Sequence, residues 1–174
     1  MIYNPSDDSY LLQEQVRKKS KDKKVLDMGS GSGIQALTAK ESGAKSVIAS
    51  DIDEESINFL KKKGLNTIKS DLFSNISEKF DLIVFNPPYL PRDPREDNES
   101  SLATTGGEKG DEIYLKFFQQ VPNYLNKNGS IIILISSLTP RKRIASLLNK
   151  LNLRKNALSK KKLFMELLEV WEIN

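Results

Sequence analysis

Short apolar runs alternate along the chain with longer segments whose apolar positions recur at helical spacing. Four runs, at residues 24–28, 46–50, 80–85 and 130–136, are rich in Val, Ile or Leu and are bounded by Gly, Asp, Asn or Pro. Such runs are typical of the buried strands of a parallel sheet. Between the runs, the spacing predicts amphipathic helices over residues 34–42, 54–63 and 111–126. Strands that alternate with helices predict an α/β fold built from crossover units.

Two weaker patterns extend the predicted sheet. Residues 67–69 indicate a short strand before Asp71. The tail, residues 163–173, alternates enough to predict an antiparallel edge strand paired with part of residues 151–158. The chain has 174 residues, is 38% hydrophobic and has no internal repeat, so we expect one core and a single domain over residues 1–174.

The composition excludes several kinds of chemistry. The chain has no Cys and no His, which excludes disulfides, thiolate metal sites, Cys nucleophiles and imidazole as a metal ligand or general base, and we expect no metal site. The formal net charge of +4 is too small to require a nucleic-acid partner. The N-terminus has no basic leader with an apolar segment, and no apolar run is long enough to span a bilayer. We therefore expect a soluble cytoplasmic protein.

A glycine-rich turn connects the first predicted strand to the first predicted helix. Gly29, Gly31 and Gly33 occupy every second position shortly after Asp27. A dinucleotide-binding turn would instead have the pattern G-x-G-x-x-G, and the Asp27 carboxylate would repel a pyrophosphate. The same carboxylate suits a ligand with an ammonium and a sulfonium group, so the turn favours S-adenosylmethionine as the cofactor.

Acidic residues follow the next two strands. Asp51 ends the second strand, where its carboxylate can accept hydrogen bonds from both ribose hydroxyls of an adenosine. Asp71 and Leu72 follow the third strand, where the carboxylate can accept from the adenine amino group and the Leu72 amide can donate to a ring nitrogen. The alternatives are that Asp51 caps a helix and that Asp71 forms a turn.

The fourth predicted strand ends at the tetrapeptide Asn86-Pro87-Pro88-Tyr89, in which the prolines fix the backbone after a polar side chain. A planar nitrogen attacks a methyl group poorly, because its lone pair is delocalised, unless acceptors bind its hydrogens and orient it. The Asn86 side-chain oxygen and the Pro87 carbonyl are the predicted acceptors, and Pro88 and Tyr89 are predicted to pack against the planar group. The tetrapeptide therefore predicts catalytic N-methyl transfer, and the alternative is an Asn-Pro turn that only ends a strand.

Together these motifs resemble the class I methyltransferases, and among them the HemK/PrmC-like protein glutamine N5-methyltransferases that modify peptide-chain release factors. Residues 3–12 resemble the opening of the archaeal and eukaryotic branch, in which a hydroxyl residue at the position of Ser9 contacts the cofactor. The resemblance also covers the glycine turn, the ribose acid, the adenine contacts, the catalytic tetrapeptide and a glycine pair before a helix. Its matching residues are Asp27, Gly29, Asp51, Asp71, Leu72, Asn86, Pro87, Pro88, Tyr89, Gly106 and Gly107.

The resemblance implies a Rossmann-like, mostly parallel seven-stranded sheet with an antiparallel C-terminal edge strand and helices on both faces. It implies methyl transfer from S-adenosylmethionine to the side-chain amide of the glutamine in the Gly-Gly-Gln motif of a release factor. Bacterial members carry an N-terminal helical domain, whereas this sequence starts almost at the segment that resembles the cofactor-binding opening, so we expect the short archaeal or eukaryotic form. In the better-known cases that form works with a small zinc-binding activator protein of the Trm112 type.

The alternative function is an N6-adenine methyltransferase of DNA or RNA, because the same tetrapeptide chemistry serves exocyclic amino groups. Against it, enzymes that modify a duplex must flip the base and usually need more surface than this length provides. Basic runs at residues 61–63, 141–143 and 160–162 suit phosphate contacts, although such runs are more often solvated faces. Residues 90–109 hold two prolines, two glycines in a pair and many charges, and predict a mobile lid over the substrate.

Overall fold

The computed structural model describes residues 4–90 and 104–174, in which helices and strands alternate as the apolar pattern predicts. The strands are β1 (Lys24–Met28), β2 (Ser46–Asp51), β3 (Asn66–Lys69), β4 (Phe80–Phe85), β5 (Leu125–Ser136), β6 (Lys155–Lys162) and β7 (Leu167–Ile173). The helices are α1 (Asp7–Lys19), α2 (Ile34–Glu41), α3 (Glu54–Lys62), α4 (Glu112–Gln120) and α5 (Arg141–Lys150), and a 3₁₀ turn over Val121–Tyr124 follows α4.

Within the described ranges, the strands form one seven-stranded sheet in the order β3-β2-β1-β4-β5-β7-β6. The five strands from β3 to β5 in this order are parallel, and β7 is antiparallel to both β5 and β6. The predicted Rossmann-like, mostly parallel seven-stranded sheet with antiparallel pairing of its C-terminal tail is therefore confirmed. The chain order reverses between β1 and β4, and ligands of open α/β sheets bind at the carboxyl ends of the strands beside such a reversal.

The C-terminal hairpin differs from the prediction in one detail. The tail was expected at the edge of the sheet, but β7 lies between β5 and β6, and β6 is the edge strand. The strand that pairs with β7 is Lys155–Lys162, which includes residues 155–158 of the predicted partner segment and continues four residues beyond it. The reason is burial: β7 is mostly buried, whereas β6 is mostly exposed and carries four lysines. A lysine-rich strand suits an edge, because charged side chains discourage further strand pairing.

The helix predicted over residues 111–126 is shorter in the structure. The α-helix ends at Gln120, a 3₁₀ turn that contains Pro122 follows, and β5 begins at Leu125. Proline has no amide hydrogen and cannot continue the hydrogen-bond pattern of an α-helix interior, which accounts for the change at this point. The apolar pattern also did not predict α1 or α5, whose charged residues obscure the spacing of their few buried positions.

Alternate residues of the central strands pack into two cores, one on each face of the sheet. In β5, Ile131 and Ile133 belong to one core, and Ile132 and Leu134 belong to the other. The first core also contains Phe117 and Phe118 of α4 and Ile144 of α5, and the second contains Leu12 and Val16 of α1 and Ala36 of α2. Helices therefore cover both faces. No helix in residues 4–90 and 104–174 has the length and apolarity to cross a membrane.

Gly33→Ala is expected to destabilise the protein by about 2–4 kcal/mol, from backbone strain and overpacking together. Gly33 precedes α2 with φ of 80°, and a Cβ atom there would lie 2.6 Å from Cδ2 of the fully buried Leu60. The matched control is Gly64→Ala, because Gly64 has φ of 73° and no heavy atom within 4 Å of the added Cβ. Urea denaturation measures the loss in unfolding free energy of both variants. Equal losses would show that the close contact with Leu60 adds nothing to the cost of backbone strain.

Candidate active site

The predicted site residues of three strands meet at one edge of the sheet. Asp27 lies near the carboxyl end of β1, Asp51 ends β2, and Asn86 directly follows β4. Because β1 pairs in parallel with both β2 and β4, the carboxyl ends of these strands lie side by side. The structure therefore brings the glycine turn, the predicted ribose acid and the tetrapeptide together at this edge of the sheet, where open α/β sheets have their ligand-binding crevice.

The turn after β1 requires glycine at each of its three glycine positions. Gly29, Gly31 and Gly33 have φ of 63°, 49° and 80°, in the left-handed region that side chains with a Cβ rarely adopt. The Ser30 amide donates to the carbonyl of Ser50 at 2.9 Å, which ties the turn to the end of β2. Gly29 is exposed and Gly31 is partly exposed, so the backbone of the turn is open to a ligand.

The Asp27 carboxyl is buried beneath the turn. It is 1% exposed, and its Oδ2 accepts a hydrogen bond from the Ala36 amide of α2 at 3.0 Å. Burial, with a smaller contribution from the Asp51 charge, raises the pKa of Asp27 from 3.8 to about 7, against the hydrogen bonds from Ser30 and Ala36 that lower it. A cation bound in the crevice would favour the ionised form of this carboxyl.

The raised pKa of Asp27 predicts a stability that falls with rising pH in the absence of ligand. Between pH 4 and pH 7 the native state retains the Asp27 proton, whereas the unfolded chain has lost it. The free energy of unfolding therefore falls by about 4 kcal/mol as the pH rises across that window. Asp27→Asn cannot titrate and serves as the reference. Denaturation curves at several pH values should show wild type losing stability relative to Asp27→Asn from pH 4 to 7, and parallel pH dependences would contradict a raised pKa.

Asp51 links the glycine turn to the end of β2. Its Oδ2 accepts from the Gly31 amide at 2.8 Å, and its Oδ1 accepts from the Asp53 amide at 2.9 Å. Burial raises the pKa of this carboxyl above its ordinary value. The residue that caps α3 is Asp53, whose side chain accepts from the amides of Glu55 and Ser56. Asp51 is therefore not the helix cap, and each of its oxygens still has a lone pair for a ligand hydroxyl.

Asp71 and Leu72 lie in the turn after β3, beside the end of β2. The Ser70 amide donates to the Asp51 carbonyl at 2.8 Å, which fixes the position of this turn. The Asp71 side chain is exposed, and Leu72 is buried with φ of 47°. The backbone of Leu72 is thus held in a conformation that is uncommon for a residue with a Cβ. The two predicted adenine contacts lie next to the predicted ribose acid, and their roles stay predictions.

The side-chain amide of Asn86 has a hydrogen-bond partner for its nitrogen and none, among the described residues, for its oxygen. Its Nδ2 donates to Oδ2 of Asp8 at 3.0 Å. Its Oδ1 is buried and has no hydrogen-bond partner in the part of the chain that the structure describes. A buried acceptor without a partner costs about 1–3 kcal/mol, so this oxygen is suited to receive an N–H from a ligand.

The rest of the tetrapeptide is fixed by packing. Pro87 is buried, Pro88 is half-buried, and Tyr89 packs against both hydrophobic cores. The glycine pair predicted from the resemblance packs close by, since a Cβ on Gly106 would lie 2.7 Å from the carbonyl oxygen of Pro88. The Gly106 amide donates to the Leu90 carbonyl at 2.9 Å. Most of the predicted lid, residues 91–103 of 90–109, lies outside the described residues.

Ser9 lies beside the tetrapeptide, and its neighbour Asp8 is the site residue that the sequence did not predict. The Ser9 hydroxyl donates to Oδ1 of Asp8 at 3.1 Å, and the Ser9 carbonyl accepts from Nε2 of Gln35 at 2.8 Å. Asp8 is only 4% exposed. The signal for Asp8 in the sequence is weak, because two acids in the first turn of α1 are expected simply from the helix dipole.

Two of the basic runs take part in intramolecular ion pairs. Lys160 pairs with Glu169 at 2.8 Å, and Lys161 pairs with Asp7 at 2.7 Å. The third pair of this kind joins Arg141 to Glu169, and a fourth joins Arg143 to Asp111 at 3.2 Å. These contacts favour a structural role, rather than phosphate binding, for much of the positive charge in these two runs.

The electrostatics of the crevice suit a cationic ligand. Asp8, Asp27 and Asp51 are all largely buried around it, and the unpartnered Asn86 oxygen adds a neutral acceptor. The exposed backbone of the glycine turn lies between these acceptors. The arrangement fits a positively charged nucleoside cofactor, held with a planar N–H donor next to Asn86.

Comparisons with known proteins agree with this chemistry. Residues 6–165 match the family model described as the methyltransferase small domain. The Methanocaldococcus jannaschii protein named "Putative protein N5-glutamine methyltransferase MJ0928" is 39% identical over 162 residues, which cover 88% of this chain and 81% of that protein. The release factor glutamine methyltransferase of Streptococcus pneumoniae is 37% identical over 63% of this chain, and the chain spans only 44% of its length.

Among solved structures, the fold is similar to that of the Mtq2–Trm112 complex of E. cuniculi, which is responsible for the methylation of the translation termination factor eRF1. The TM-score is 0.80, with 23% sequence identity, over 99% of this chain and 97% of that chain. At this identity the likeness establishes the fold.

Proposed function

The chain belongs to the methyltransferase small domain family, and we propose that it methylates the side-chain amide nitrogen of a glutamine in a peptide-chain release factor. The methyl donor in this proposal is S-adenosylmethionine. The observation that carries the proposal is the buried Asn86 Oδ1, an acceptor without a partner among the described residues, at the carboxyl end of β4 beside the glycine turn. A primary amide has two N–H groups, and such an acceptor can bind one of them.

The residues of the crevice fit S-adenosylmethionine by the chemistry of their donors and acceptors. In the proposed complex, Asp51 accepts from the ribose hydroxyls, and Asp71 and the Leu72 amide contact the adenine. Gly29 and Gly31 leave room for the methionine part above the buried Asp27 and beside Ser9. When bound, S-adenosylmethionine supplies a methyl group that its positive sulfur already activates.

The protein's contribution is then to orient the nucleophile. Asn86 Oδ1 and the Pro87 carbonyl accept the two N–H groups of the glutamine amide, and this turns the nitrogen lone pair toward the methyl group. Pro88 and Tyr89 pack against the amide plane. The C–N bond forms as the C–S bond breaks, and the nitrogen then releases one proton to water. Positioning supplies most of the acceleration, which is consistent with the absence of His and Cys from the sequence.

The names of the relatives support a release factor as substrate. The bacterial relative is a release factor glutamine methyltransferase, and the archaeal relative, aligned over most of both chains, is named for N5-glutamine methylation. Because the chain spans under half of the bacterial relative, substrate and partner are both part of the proposal. We propose further that residues 1–174 act as a single cytoplasmic domain, and that a Trm112-like zinc-binding activator forms a heterodimer with it.

The experiment that tests this proposal is transfer of radiolabelled methyl from S-adenosylmethionine, with and without a Trm112-type protein. The acceptors are a release factor that contains Gly-Gly-Gln, the same factor with that glutamine substituted, and adenine-rich DNA and RNA. Label on the factor and not on its substituted control is the expected result. Label on nucleic acid would overturn the substrate and favour the N6-adenine alternative, and label on no acceptor with the activator present would contradict the proposal.

A further inference from the structure

We infer that Asp8 is a positioning residue, which holds the Asn86 side-chain amide with its oxygen toward the substrate. The inference deepens the proposed function and rests on it for its kinetic consequence. Asp8 lies in the first turn of α1, far from Asn86 in the sequence, yet the two side chains are joined by a hydrogen bond of 3.0 Å. Asp8 does not contact the reacting atoms in this proposal and acts only through Asn86.

In the hydrogen bonds that Asp8 makes with Ser6, Ser9 and Asn86, its two carboxylate oxygens have different partners. Oδ1 accepts from the Ser9 amide at 2.6 Å, from the Ser9 hydroxyl at 3.1 Å and from the Ser6 hydroxyl at 3.0 Å. Oδ2 accepts from Nδ2 of Asn86. The start of α1 thus holds one oxygen, and the other is directed at the tetrapeptide.

A carboxylate determines which end of a neighbouring amide faces it. An ionised carboxylate has acceptors only, whereas an amide has a donor end and an acceptor end of nearly the same shape. With the opposite orientation, the Asn86 oxygen would lie about 3 Å from an oxygen of Asp8, where the two acceptors repel. Asp8 therefore directs Nδ2 of Asn86 toward itself and Oδ1 away from itself.

The orientation matters because only Oδ1 of Asn86 can accept an N–H from the substrate amide. This atom is the buried acceptor that lacks a partner among the described residues. If the Asn86 amide turned over, its NH₂ group would meet the substrate NH₂ group, and two donors would face one another. A charge-assisted hydrogen bond from Nδ2 to Asp8 also polarises the Asn86 amide and strengthens Oδ1 as an acceptor.

Asp8→Asn tests this inference without changing the shape of the side chain. The Ser9 backbone amide can only donate, so the oxygen of the introduced amide is held at the Oδ1 position. Its NH₂ group then faces Asn86, and the Asn86 amide must turn over to accept from it. We expect kcat to fall about 10²-fold, with the KM for S-adenosylmethionine changed less than about twofold. The matched control is Asp7→Asn, because Asp7 is only partly buried and pairs with Lys161.

The double substitution Asp8→Asn/Asn86→Asp should restore part of the lost activity. The introduced amide at position 8 then donates to one oxygen of the introduced carboxylate at position 86, and the other oxygen faces the substrate. Asn86→Asp alone places two carboxylates against each other and should be poorly active. We expect kcat of the double variant to exceed that of Asp8→Asn by at least about tenfold. A purely structural role for Asp8 predicts no such rescue, so a double variant as slow as Asp8→Asn would overturn the inference.

A measurement that needs no substrate separates this inference from the proposed function. In ¹⁵N-labelled protein, the side-chain NH₂ signals of Asn86 are assigned by their loss in Asn86→Ala. Asp8→Asn should shift those signals, because they no longer face a carboxylate, while Asp7→Asn should leave them in place. Unshifted signals in Asp8→Asn would overturn the inference. Shifted signals in a protein that methylates no release factor would uphold the orientation and refute the proposed function.

Discussion

Replacement of Asn86 with alanine is expected to lower kcat about 10²- to 10³-fold, a loss comparable to removal of one preorganised group that acts on the reacting centre. The physical reason is that the variant lacks Oδ1, the buried acceptor proposed to bind one substrate N–H. The lone pair of the glutamine nitrogen is then no longer oriented toward the methyl group, and the barrier to transfer rises. Single-turnover methylation of the release factor measures this loss.

The cofactor affinity of Asn86→Ala should change much less than its turnover, by under about threefold. Asn86 contributes one side chain at the rim of the proposed cofactor site, whereas the ribose and adenine contacts come from β2 and β3. Isothermal titration calorimetry with S-adenosylmethionine measures this affinity. The control is Asn149→Ala, which removes the same side chain from an exposed position of α5. An equal loss of affinity and turnover would assign Asn86 to the cofactor alone.

Asp51→Ala is expected to act in the opposite way, weakening S-adenosylmethionine binding about 10²-fold or more while kcat at saturating cofactor falls much less. The variant loses the proposed acceptor for both ribose hydroxyls. It also frees the Gly31 amide, which donates to Asp51 Oδ2 at 2.8 Å, and so loosens the glycine turn. Calorimetric titration with the cofactor, followed by kinetics at saturation, measures the two effects separately.

The matched control for Asp51→Ala is Asp53→Ala. Asp53 is two residues away and caps α3 through the amides of Glu55 and Ser56, so its loss should cost about 1 kcal/mol of stability. Its backbone amide, which donates to Asp51 at 2.9 Å, is kept in the variant. Cofactor affinity should therefore be nearly normal in Asp53→Ala. An unchanged affinity in Asp51→Ala would refute the ribose role, and equal weakening in both variants would indicate a general loss of order after β2.

The sequence determined most of the parallel half of the fold. β1 and β4 begin and end at the predicted residues, and α2 and α3 end within one residue of the prediction. These elements could be predicted because their apolar residues are contiguous or periodic and because glycine, asparagine or proline ends them locally. The glycine turn could be recognised for the same reason: alternate glycines after a buried strand need no distant partner to identify them.

The sequence was less informative for strands and helices whose position depends on contacts with residues distant in the chain. The position of β7 inside the sheet and of β6 at its edge follows from pairing with β5, which no local pattern specifies. The α1 helix was not predicted, because its charged residues obscure the few positions, such as Leu12 and Val16, that the second core buries. Strand order and helix burial are non-local, so a linear pattern underdetermines them.

In the candidate site, too, the sequence determined some properties and the tertiary structure determined others. The sequence by itself determined which groups are available: three glycines in a turn, acids after successive strands, an asparagine before two prolines, and no Cys or His. Only the tertiary structure decided how they are arranged, because the contact of Asp8 with Asn86 joins residues 78 positions apart. That contact exists because α1 packs on the sheet and sets its first turn beside the end of β4. The direction of the Asn86 amide is thus a property of the fold, whereas the presence of the amide is a property of the sequence.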